Sequence, residues 1–202
     1  TQASVFQLSG RGDPMSIGTS YGLIAKALSR FLNVHDTTTS EQFCDAVAKY
    51  AAGEDHTHVA EFLGELCGVS FPPSVMLRAA RLDPRIMADQ ITQSFITFLL
   101  WLSQQRTVLL MLEDLHWGDP LTCKLIDQAL RELAERPLMV LANARPEVED
   151  LFPKLWSERA RQDIRLGPLP KKACERLLQQ VLGKNQPQSV IGRIVEQSAG
   201  NA

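Results

Sequence analysis

Little in this sequence is extreme, and its scarcities are the first constraint. Lysine and arginine number 21 against 23 aspartates and glutamates, a formal net charge of −2, so no positive excess draws the chain onto nucleic acid or an anionic membrane. Long apolar runs are missing. The longest, Phe95 to Leu102, is interrupted by Thr97 and falls far short of the about 20 residues a membrane-spanning helix needs. Cysteine is sparse: Cys44, Cys67, Cys123 and Cys174 are dispersed through helical patterns, which fits reduced, buried thiols of a cytoplasmic protein better than a disulfide framework or zinc site. Internal repeats and low-complexity segments are also lacking. What is present, 202 residues of which 45% are hydrophobic, suffices for the core of one domain or most of one.

The most informative stretch runs from Val108 to Asp119, VLLMLEDLHWGD. The apolar run Val108 to Leu112 has no polar face and reads as a strand buried on both sides, at the centre of a parallel sheet. Glu113 and Asp114 emerge at its carboxyl end, the edge on which open α/β sheets place their ligands. Paired acids there suit hydrated Mg²⁺ beside a nucleotide phosphate and the orientation or deprotonation of an attacking water, a Walker B arrangement. The alternative is a strand that ends in solvated acids before a turn. Asp119 followed by Pro120 is better explained as a helix N-cap with proline in the first helical position.

A second strand, Pro137 to Ala142, follows a helix carrying Leu121, Leu125, Ile126, Ala129, Leu130 and Leu133, so strand, helix and strand form a right-handed parallel crossover. Asn143 and Arg145 then open on the same edge as the acids. There the Asn143 amide could contact a nucleotide and the Arg145 guanidinium could stabilise charge on a terminal phosphate. Arg145 is otherwise a surface arginine near Glu147 and Glu149.

The segment Glu113 to Asp119 resembles that following the Walker B strand in STAND-type signalling NTPases, within the AAA-like P-loop ATPases. The resemblance implies ATP and Mg²⁺ as cofactors. It gives Glu113 the metal, Asp114 the part of catalytic acid or base, and Arg145 the sensor 1 position. It also implies a regulatory ATPase switch in a larger signalling protein, joined to a kinase, adenylate cyclase or DNA-binding effector and to repeat-type sensor domains; the net charge gives this chain itself no case for direct nucleic-acid binding. A non-hydrolysing interaction scaffold of the same fold is the alternative.

The phosphate-cradling string GxxxxGK followed by Ser or Thr is not found. Gly10-Arg11-Gly12 lacks the lysine and the spacing, Gly18 to Gly22 lacks the lysine, and Gly183-Lys184 is followed by Asn185. The chain opens inside a strand pattern at about Ala3 to Leu8 and closes on Ser198 to Ala202, which resembles the start of the GNP(F/L) motif of a lid helix. The expectation is therefore an excerpt whose Walker A part lies upstream and which is inactive as an ATPase alone. The fold expected is α/β: an incomplete P-loop NTPase three-layer sandwich with a parallel sheet. Residues 1–167 make the core, with a helical insertion at about 33–84, and residues 168–202 begin a helical lid after the Gly167 to Pro170 break. The family's sheet order, 5-1-4-3-2, puts Val108 to Leu112 between the first strand and the Pro137 strand. It leaves a fourth strand, Asp163 to Leu166, roughly 10 Å from the Pro137 strand.

Smaller features carry less. Arg11-Gly12-Asp13 spells an adhesion tripeptide that arises readily by chance, and resembles in context the loop after the family's second core strand. His56 and His58, in a polar hinge with Glu54 and Asp55, read as solvated rather than metal-binding. Arg78, Arg81 and Arg85 follow a stiff Phe71-Pro72-Pro73 break and read as a solvated basic face. Trp101 is expected to join a neighbouring surface. Leu151, Phe152, Leu155 and Trp156 suggest a short amphipathic helix.

Overall fold

The structure, a computed structural model, describes residues 5–16, 18–183 and 187–201. The expectations for Ala3, Lys184, Asn185 and Ala202 lie outside these. The described residues form two compact units, one ending at Ala160 and one beginning at Arg161. None of their helices is long and apolar enough to cross a membrane.

The first unit is α/β, built on the parallel sheet β1 (Phe6–Arg11), β2 (Val108–Glu113) and β3 (Leu138–Ala142), with β2 in the middle. The strand order follows the sequence reading; the extent of β1 does not. It runs on through Gly10 and Arg11, past the end expected at about Leu8. The reason is a close approach: a Cβ on Gly10 would collide with the Leu23 carbonyl of α1 (Gly22–Phe31), so the glycine lets a helix cross the strand.

Helices cover one face of the sheet. Leu8, Val108, Leu110 and Leu112 are buried there against Ile24, Ala27 and Leu28 of α1, with Leu125 and Ile126 of the β2–β3 crossover helix in the same core. On the other face Leu109 and Met111 are half-buried, while Met139 and Leu141 are 58% and 48% exposed. The expected burial of β2 on both sides is thus only half realised, and the first unit lacks the second helical layer of a three-layer sandwich among its described residues.

Between β1 and β2 the chain makes α1 and then α2 (Ser40–Ala48), α3 (Thr57–Cys67), α4 (Val75–Leu82) and α5 (Pro84–Gln105). Start and stop chemistry is explicit. Thr39 and Gln42 make a reciprocal capping box at α2, and Gly68 ends α3 in the left-handed conformation at φ 75°. Asp83 caps α5 ahead of Pro84. The helix α4 was not foreseen, because the two arginines in it, Arg78 and Arg81, masked its short apolar stripe. Ser74 caps it by accepting from Leu77, and the buried Glu61 carboxylate in turn accepts from the Ser74 amide (3.1 Å) and hydroxyl (2.8 Å). Arg81 lies in an ion pair with Glu65 at 2.6 Å rather than on a free basic face.

The core is aromatic where α1, α2 and α5 converge. Phe98 meets Phe31 and Tyr50 edge-on, with ring centres 6.2 and 5.7 Å apart, and Phe6 of β1 joins them. Trp101, expected to join a neighbouring surface, packs into the common core. It is buried, and its indole donates to Glu54 at 2.9 Å.

After β2, α6 (Pro120–Glu132) returns the chain to β3. The expected amphipathic helix around Leu151 to Trp156 is only the single turn α7 (Val148–Leu151), since Lys154 and Trp156 take left-handed conformations that a helix cannot propagate. Trp156 and Arg159 still anchor this segment on α6, the indole donating to the Cys123 carbonyl at 3.0 Å and the guanidinium forking onto Asp127 at 2.9 and 2.8 Å.

In the second unit Asp163 to Leu166 is not a strand. Ile164 and Leu166 are 73% and 92% exposed, and no ladder partner exists among the described residues, without which extended backbone does not become a sheet. The unit's helices are α8 (Lys171–Leu182) and α9 (Gln188–Ser198), joined by a small core of Cys174, Ile191, Val195 and Leu178.

All four cysteines are free and helical, as expected. Burial pushes the Cys67 thiol up to about 11 and, helped by the charge of Asp119, the Cys123 thiol up to about 12. The folded chain therefore keeps thiol protons that the unfolded chain surrenders near pH 9, and stability falls as pH climbs through that range. Urea unfolding at rising pH should show a steeper loss for the wild type than for Cys123→Ala. Removing the central ring by Phe98→Ala should destabilise the chain by about 3–5 kcal/mol in the same assay.

Candidate functional site

The carboxyl edge of the sheet gathers the residues singled out from sequence, and the backbone explains how. In-register pairing sets Arg11 opposite Glu113. The Glu113 carbonyl accepts from Gly12 (2.8 Å) on one side, and the Leu112 carbonyl accepts from Asn143 (2.9 Å) on the other. Beyond Glu113 the chain turns abruptly: Asp114 takes the left-handed conformation, φ 54° and ψ 44°, one that aspartate tolerates better than most side chains. Asn143 holds the turn twice, its side-chain oxygen accepting from the Asp114 amide at 2.9 Å and its backbone carbonyl from Leu115 at 3.0 Å.

The two acids have different surroundings. Asp114 accepts from the Arg11 Nε at 2.9 Å. The Glu113 carboxylate is half-buried, on the less covered face of β2, and makes no hydrogen bond or ion pair among the described residues. Glu113, Asp114 and Asn143 are thus brought together. Asn143, expected to contact nucleotide, spends its amide oxygen on the acidic turn.

Arg145 was expected beside the acids to stabilise phosphate charge. It forms no ion pair with them among the described residues, and its guanidinium lies over the Trp117 ring, 5.6 Å from the centroid. Its backbone N–H donates to His116 Nδ1 at 3.3 Å. That bond requires an unprotonated Nδ1, so the neutral ring carries its proton on Nε2, a buried donor with no partner. His116 and Trp117 therefore position the Arg145 segment, a role that nothing in their spacing announces.

Asp119 is the cap foreseen, and more. Its Oδ1 accepts from both the Thr122 amide of α6 (2.9 Å) and the Tyr21 amide before α1 (3.0 Å), and its Oδ2 accepts from the Thr122 hydroxyl at 2.6 Å. One buried carboxylate thus ties together the loops that follow β1 and β2. Burial first, then the charges of Asp119 and Asp89, raise the Tyr21 hydroxyl above its usual range.

Sequence reasoning missed Arg11 and Gly12 as parts of this edge, having treated the tripeptide they share with Asp13 as coincidence. A Cβ at Gly12 would collide with the Asp114 carbonyl, so the residue after Arg11 has to be glycine for the two loops to pack. A donor set for Mg²⁺ is limited to Glu113 and Asp114, since no cluster of three or more metal-ligating side chains occurs among the described residues. Two carboxylates are nonetheless enough for an ion that keeps most of its water and takes its other ligands from phosphates. The His56/His58 pair builds no such cluster either; His58 packs on Phe62 with ring centres 4.8 Å apart.

Comparison with family models, with curated proteins and with solved structures returns no match for this chain.

Gly12→Ala should force the β1 and β2 loops apart, lowering stability by about 1–3 kcal/mol. It should also shift the Asp114 and Asn143 backbone amide resonances, while the amides of α4, which packs on α5, stay in place.

Proposed function

We propose that the chain is part of an ATP-binding and hydrolysing regulatory module of the STAND and AAA-like P-loop kind, contributing the Walker B acids and the sensor 1 segment. The observation that carries the reading is the acidic turn itself. A central parallel strand delivers Glu113 and Asp114 to the carboxyl edge, and Asn143 from the next strand holds the turn that presents them.

In that module Glu113, whose carboxylate has no partner among the described residues, is the metal-side acid. Asp114 is the acid next to the attacking water, fixed by Asn143 through its amide and by Arg11 through its carboxylate. Bound Mg²⁺·ATP would supply a terminal phosphoryl group with charge spread over its oxygens. Arg145 would then leave the Trp117 ring to reach it, exchanging a cation–π contact for a charge-assisted one. The triphosphate-cradling amides and lysine are not in this sequence, so turnover requires a Walker A loop supplied with it. Attached effector and sensor domains, and a cytoplasmic setting, belong to the same proposal.

The test uses a protein that joins this chain to a Walker A segment. Asp114→Asn should lower phosphate release at least tenfold while sparing ATP binding, whereas Glu113→Gln should also weaken the Mg²⁺-dependent part of binding. The chain alone should release no phosphate from ATP above background. Wild-type turnover in both variants, or robust turnover by the chain alone, sinks the assignment.

A further inference from the structure

A second site lies beside the acidic turn, on the far side of Arg11. The end of β1, the loop after it and α1 enclose an open cleft of about 540 Å³, lined by Arg11, Asp13, Lys26, Arg30 and Trp117 among others. Its charge is one-sided, with three cations against the single carboxylate of Asp13 among these residues. Asp13 lies 3.9 Å from Lys26, a loose contact. Arg11 uses only its Nε on Asp114, and its side chain is 67% exposed, so both terminal nitrogens remain for another acceptor. Arg30 has no ion pair among the described residues. Lys26 and Arg30 are four residues apart on α1, a spacing at which like charges on one helix face repel. An anion between them would remove that repulsion, accepting from the Lys26 ammonium and taking a forked bond from the Arg30 guanidinium.

The cleft is larger than one phosphate group requires and lies within the range of small-molecule sites, about 300–1,000 Å³. Trp117 is among the lining residues, and its indole, which already receives the planar Arg145 guanidinium 5.6 Å from its centroid, is the aromatic group at hand for a planar ring.

From this convergence we propose that the cleft binds a small organic phosphate carrying a planar ring, the chemistry of a nucleoside monophosphate. The site is distinct from the acid pair and does not depend on the ATPase reading. Its ligand is held by cations and an indole and needs no metal. Occupancy would load Arg11 from one side while Asp114 holds it from the other, so the site adjoins the acidic turn through a single guanidinium.

The experiment titrates the full 202-residue chain with AMP, adenosine and inorganic phosphate by calorimetry, in EDTA. AMP should bind saturably, with adenosine and phosphate each at least tenfold weaker. Lys26→Glu/Arg30→Glu should lose at least tenfold in AMP affinity with an unchanged circular dichroism spectrum, because both side chains are on the helix surface. Arg78→Glu on α4, a charge change elsewhere, should bind as the wild type. AMP affinity should fall as salt rises. Failure of AMP to bind at millimolar concentration overturns the proposal, as does equal binding of adenosine, an unaffected double variant, or binding that appears only when Mg²⁺ is restored. The last result would assign the nucleotide to Glu113 and Asp114 instead, and failure of AMP to bind at all leaves the ATPase reading to its own test.

Discussion

The parallel register of β2 against both neighbours is the constraint on which the rest of the first unit depends. It sets Arg11 opposite Glu113, aligns Leu112 with Ala142, and so brings Asn143 alongside the point where β2 ends. Every polar contact of the acidic turn follows from that alignment: Gly12 on the Glu113 carbonyl, Asn143 on the Asp114 amide, Arg11 on the Asp114 carboxylate. A slip of one residue in either ladder would carry alternate side chains to the opposite face. Leu110 and Leu112 would then lose their core positions together with the acids' partners.

Register alone does not hold two loops together, and here a buried carboxylate does. Asp119 accepts from the backbone of both the β1 and β2 connections, and so joins the start of α1 to the start of α6. In a site of low dielectric such charge-assisted bonds are strong when made and costly when broken. The same economy of polar groups recurs away from the edge, where Glu61 secures the cap of α4 through Ser74 and Glu54 receives the Trp101 indole. The helical layer is thereby attached through buried or half-buried polar anchors as well as through its aromatic core.

Much of this was legible from residues. The apolar run Val108 to Leu112 announced the central strand and Asp119-Pro120 the start of α6, because each depends on local chemistry. The parts that escaped depend on something distant in sequence. Gly10 falls outside the strand expected at about Ala3 to Leu8, until the Leu23 carbonyl is placed over it. Ile164 and Leu166 read as a strand, but a strand exists only with a partner. Arg145 carries the charge expected of it, yet no spacing rule says that its guanidinium will rest on Trp117 rather than pair with an acid. The acids of the candidate site were found because they end a strand; Arg11, which meets one of them, was missed because the contact spans 103 positions.

That separation has a kinetic side. The ladder between β1 and β2 closes a loop that contains α1 to α5, and loop closure costs conformational entropy before its contacts form. The helices of the insertion fold on nearby contacts, whereas β1 can add its edge to β2 only when the chain between them is compact. High contact order of this kind slows folding. Until β1 arrives, the five apolar residues of β2 present an open parallel edge, so the interval before closure is when the chain is most exposed to association with copies of itself.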